Sequence, residues 1–150
     1  MSAYNATHLT LDGVGLRTRA IDCFDWSDLF QRPYRGVNRV APGQVGSKVR
    51  PRVADEVAAA LPVRLNGGYD DNTWLGGDDQ TQHSRLIGHL DVLHGIGPGV
   101  VDLEFVWADG STTVDCLVDA FGTPRFDTPG LAVVVIEVTL PDGPMSLASS

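Results

Sequence analysis

Apolar residues recur at every second position along most of the chain. His8-Leu-Thr-Leu11 alternates and runs into Asp12-Gly13, the pattern of a strand entering a tight turn. Val57, Ala59, Leu61, Val63 and Leu65 alternate with Ala58, Ala60, Pro62 and Arg64. Pro62 stops a helix there but is tolerated on an edge strand, so residues 53–65 read as a strand. Val100 to Trp107 sets Leu103, Phe105 and Trp107 on one face. The segment Ala108-Asp109-Gly110-Ser111 turns it into a return strand over Thr112 to Val118, the strongest hairpin signal in the chain. Phe121 to Asp127 reads as a further short strand. Leu131 to Leu140 reads as a β-branched strand closed by Pro141-Asp142-Gly143.

One stretch departs from period two. Leu86, Ile87, Leu90 and Leu93 form a helical stripe over residues 79–94. Asp79 is the expected N-cap, with Gln82 as its reaching partner, and Gly95 is the stop. Ile21 to Phe30 fits either a strand or a short helical turn capped by Asp25 or Ser27. Residues 66–77 read as loop, anchored by Trp74 and Leu75. Five to seven strands and one helix without βαβ alternation give a mostly β (α+β) chain. The expected form is a β-sandwich or split barrel with one flanking helix at about 79–94.

At 150 residues and 16.0 kDa the chain fits one domain, 1–150, with 146–150 a frayed tail. No apolar run reaches the roughly 18 residues of a membrane-spanning helix. The first residues lack the basic and apolar regions of a secretory signal. Net charge is −8, and the sequence pI of about 4.7 argues against a nucleic-acid reader or a binder of anionic membranes.

The charge is unevenly distributed. Residues 1–65 carry +3 and residues 66–150 carry −11. The basic excess sits in residues 31–52, which contain Arg32, Arg35, Arg39, Lys48, Arg50 and Arg52, three prolines, three glycines and no acid. That composition predicts a long basic loop, and loops of such length carry a role.

Candidate chemistry is sparse. His83, His89 and His94 lie on the predicted helix, but no two have the i, i+4 spacing that shares a metal, and His8 lies far off in sequence. Asp70, Asp71, Asp78 and Asp79 lack the alternating spacing of a calcium loop. Ser111, Thr112 and Thr113 flank a turn without a nucleophile motif. Cys23 and Cys116 are too few for a disulfide scaffold or a four-ligand zinc site and read as buried free thiols. Pro42-Gly43-Gln44-Val45-Gly46 before Lys48 lacks the ending of a phosphate-cradling loop. No catalytic residue, metal or cofactor is expected.

The segment Arg35-Gly-Val-Asn38-Arg39-Val-Ala-Pro42-Gly43-Gln-Val-Gly46 follows a strand ending Leu11-Asp12-Gly13-Val14. It precedes a strand pair and a last strand ending Pro141-Asp142-Gly143. This layout resembles small tail proteins of long-tailed bacteriophages of actinobacteria, in the family of tail-tube proteins and distal tail protein N-terminal domains. Gln44 and Val45 stand where that family more often has Arg-Asp.

The resemblance implies a tail-tube type β-sandwich, assembled as a sixfold ring that stacks into a tube or forms its distal end in the virion. Its partners are then further copies and other tail proteins. DNA is only transient cargo in an acid-walled channel, and no membrane is involved. Within the basic loop, Arg35, Asn38, Arg39, Pro42, Gly43, Gly46, Lys48, Arg50 and Arg52 are the expected self-assembly residues. They would pair with acids of a neighbouring subunit while the glycines supply turns. A head-to-tail connector or terminator ring is the alternative, and a small enzyme or ligand-binding module a further one.

Overall fold

The computed structural model describes residues 8–30, 56–97 and 99–145. It is mostly β with one helix, and its main sheet curls into a nearly closed barrel. Among the described residues the strands are β1 (His8–Leu11), β2 (Val14–Gly15), β3 (Ile21–Cys23), β4 (Val57–Asn66), β5 (Tyr69–Asp70), β6 (Thr73–Trp74), β7 (Val100–Trp107), β8 (Gly110–Phe121), β9 (Arg125–Thr128) and β10 (Leu131–Leu140). The helix α1 spans Asp79–His94.

The sheet order is β2-β1-β7-β8-β10-β4-β3, every neighbouring pair antiparallel, with β9 beside the start of β10. Leu16, just after β2, links β1 to β3. Its N–H donates to Leu9 O at 2.7 Å, and its carbonyl accepts from Cys23 N at 2.6 Å. A buried Arg17–Asp22 ion pair at 2.5 Å lies beside this seam, with the guanidinium 4.7 Å from the Trp26 ring centroid.

The alternating strands behave as the pattern dictates. β4 and β10 pair over ten residues, and their inward positions, among them Leu61, Val63, Val134 and Ile136, are buried. Burying each such side chain stabilises the fold by roughly 1.5–3 kcal/mol. Pro62 sits inside the sheet, not on an edge. Its carbonyl accepts from Phe24 N at 3.2 Å just past the end of β3, so its missing N–H falls where the ladder has stopped.

Helix α1 lies across one end of the barrel. Its first turns meet the β4–β5 and β9–β10 connections, where Arg85 donates to Gly67 O and Gly76 O and His83 Nδ1 lies 2.9 Å from Pro129 O. Its last turn puts His94 edge-on to Phe121, and Gly97 N donates to Asp12 in the β1–β2 turn at 3.3 Å. The other end is filled by Trp26, Phe30, Phe105 and Trp107 and by the 3-10 turn Ser27–Phe30, whose Leu29 carbonyl accepts from Met145 N.

Several expectations need correction. The N-cap is Asp78, not Asp79. Asp78 accepts from Thr81 N at 2.8 Å, and its bonds from the Thr81 hydroxyl and amide hold its carboxyl below the usual range. Gln82 reaches back to Gly77 O instead of closing a capping box. Ile87 is exposed, while His89 is buried with Nε2 2.9 Å from Tyr69 O, so a hydrogen-bonded histidine takes the core position. Residues 66–77 contain the small β5–β6 hairpin. Trp74 and Leu75 do not anchor it from within, since both are more than half exposed and Trp74 rests on Gly68 and against Tyr69. Ile21–Phe30 holds both readings in turn, strand β3 and then the 3-10 turn.

Candidate assembly surfaces

The expected self-assembly residues Arg35, Asn38, Arg39, Pro42, Gly43, Gly46, Lys48, Arg50 and Arg52 lie outside the described residues. The described exterior is therefore the surface to which chemistry can be assigned. It divides into two sectors of barrel wall on either side of β10.

The first sector is the outward face of β7 and β8. The Ala108-Asp109 turn pairs Trp107 with Gly110, and that register runs unbroken along the hairpin. It places Asp102 directly opposite Asp115, Glu104 opposite Thr113, and Val100 opposite Leu117. Asp102, Glu104, Asp115, Val100 and Leu117 are all exposed. Two like charges directly opposite on antiparallel strands repel, and no Lys or Arg of β1, β7 or β8 lies on this face. The β8–β10 pairing slips between Glu137 and Val138, leaving Asp119 as an extra residue of β8 whose carboxylate accepts from Thr139 Oγ1 at 2.5 Å. Thr10 Oγ1 makes a longer bond, 3.3 Å, to Glu104.

The second sector is the outward face of β4 and the first half of β10, continued by Phe24. Arg64 pairs with Val133 and Pro62 with Val135 across the ladder. The Arg64 guanidinium sits 4.8 Å from the centroid of Phe24, which is 42% exposed, so an apolar plate carries a cation. Arg125 flanks Val133 from β9, and its 3.5 Å pair with Asp127 is open to water and weak. Asp22 stands directly opposite Arg64 across β3–β4, but its carboxylate is taken by Arg17.

Among the described residues eighteen carboxylates face five arginines. Two of those arginines are internal, Arg17 on Asp22 and Arg85 on loop carbonyls. No three His, Cys, Asp or Glu side chains of the described part converge on a point that would hold a metal ion. No described helix is long and apolar enough to cross a membrane. Both cysteines are free and buried. Burial pushes each thiol up to about 12, with Asp22 adding to Cys23 and Asp119 to Cys116.

The sequence reading weighed acids by chain half and missed the second sector. Phe24 and Arg64 are 40 residues apart and meet only because β3 ends beside Pro62. The Asp102–Asp115 juxtaposition did have a signal, because the hairpin turn fixes the register. Comparisons with protein-family models, with curated proteins and with solved structures found no match to this chain.

Proposed function

We propose that this chain is a structural, non-enzymatic subunit of the tail of a long-tailed bacteriophage. It self-associates into rings that build the tail tube or its distal end, and its place is the virion. The observation that carries this reading is the two-faced barrel wall: a carboxylate sector on β7–β8 without a base, and an apolar sector on β4–β10 carrying Arg64. A lone domain gains nothing from directly opposed carboxylates, whereas an assembling one has complementary faces to match. The excess of carboxylates also suits a channel wall, because a passing polyanion does not adhere to like charge.

Light scattering together with negative-stain imaging of the purified protein tests the reading. Rings, or tubes of stacked rings, are expected. A homogeneous 16.0 kDa species at high concentration overturns it. The basic segment has its own test. Replacing Arg35 and Arg39 by Glu is expected to leave the circular dichroism spectrum intact and abolish assembly, and unchanged assembly removes the segment from the contact.

A further inference from the structure

Both sectors belong to one chain, and each offers what the other lacks. The β4–β10 sector presents the exposed Phe24 beside the half-buried Pro62 and Val135, with Arg64 over the Phe24 ring. The β7–β8 sector presents the exposed Val100–Leu117 pair bordered by Asp102 and Asp115. We infer that the β4–β10 face of one copy docks on the β7–β8 face of a second copy, Arg64 meeting the Asp102–Asp115 carboxylates and Phe24 covering Val100 and Leu117. This rests on the assembly reading above and names its contact.

A two-fold dimer through either sector alone is disfavoured by the same charges, since it would set Arg64 against Arg64, or the Asp102–Asp115 pair against itself. A contact between two different faces leaves one of each unused at every step. It therefore propagates and closes as a ring, or continues as a filament. The guanidinium is the group suited to this contact, because it bonds two carboxylates at once. Its arrival also removes the repulsion between Asp102 and Asp115, so docking relieves an unfavourable term of the isolated subunit. A second copy is preferred over a different protein as occupant because the complementary apolar and charged halves are both present on this chain.

The test is a charge exchange read by light scattering across a concentration series. Arg64→Glu alone and Asp115→Lys alone are each expected to raise the concentration needed for association by about tenfold or more, as for other close interfacial charge pairs. The two changes in one chain are expected to restore most of that loss. Circular dichroism confirms folding of each variant.

If wild type associates and Arg64→Glu associates equally well, the contact is overturned and the assembly reading stands. If wild type never associates, both fall. Disulfide trapping gives a second readout. Cys23 and Cys116 are buried, with thiols pushed up to about 12, so introduced surface thiols react selectively. A mixture of Phe24→Cys and Leu117→Cys proteins is expected to form the cross-linked dimer. Equal dimer yield from either variant alone overturns the two-faced contact.

Discussion

A Cβ placed on Gly67 would lie 1.9 Å from the Gln82 carbonyl oxygen and 3.1 Å from the Leu86 Cβ. The helix that caps the barrel rests directly on this backbone, and Arg85 pins the same spot by donating to Gly67 O and Gly76 O.

Gly67→Ala therefore forces α1 away from its seat. The expected cost is roughly 2–4 kcal/mol, that of overpacking against unyielding backbone. Urea unfolding followed by circular dichroism measures it. Gly130→Ala is the control. Its Cβ would meet the movable Gln82 Oε1 at 2.6 Å, so it should cost clearly less. Equal costs would show that α1 is not held at Gly67.

The Arg17–Asp22 pair closes the barrel seam and is nearly out of water, with side chains 12% and 8% exposed. Arg17→Ala leaves the Asp22 charge buried without its cation. It is expected to destabilise by about 3–5 kcal/mol. Arg17→Met with Asp22→Leu removes both charges and should cost much less than Arg17→Ala. A double variant at least as unstable as Arg17→Ala would mean that the guanidinium acts by packing on Trp26 and not by pairing.

How much of this was legible in the sequence depends on how far apart the determining residues lie. The long strands were readable because their inward positions alternate locally, as in Val57 to Leu65 and Leu131 to Leu140. The span of α1 was readable for the same reason. Its cap was misread by one residue, since Asp78 and Asp79 are chemically identical and only backbone geometry chooses between them. His89 and Ile87 exchanged roles because the Tyr69 carbonyl, 20 residues back, gives a buried imidazole a partner. The β4–β10 face was invisible for a related reason. An exposed Phe24 or Arg64 is unremarkable alone and becomes a surface only when the ladder sets the two side by side.

The two thiols make alkaline stability a readout of burial. Each is raised from 9.0 to about 12 in the folded chain, so between those values the folded state holds protons that the unfolded state releases. Their contribution to stability is complete below about pH 9 and is lost as pH rises toward 12. The urea midpoint should fall across that range in wild type and fall less steeply in a Cys23→Ala, Cys116→Ala double variant. Parallel curves for the two proteins would show that other groups set the alkaline limit.

Asp102 and Asp115 offer the sharpest test of whether the β7–β8 face is built for the isolated subunit. Directly opposed like charges on antiparallel strands destabilise by about 0.2–1 kcal/mol. Asp115→Asn removes the repulsion while keeping shape and polarity. In dilute protein at low ionic strength it should raise the thermal midpoint, and added salt should narrow the gap by screening the wild-type pair. Under associating conditions the order should invert, since the same change weakens the complementarity offered to Arg64 of another copy. A variant that unfolds earlier than wild type in both regimes would mean that the carboxylate stabilises the hairpin itself. One that unfolds later in both would remove it from the contact.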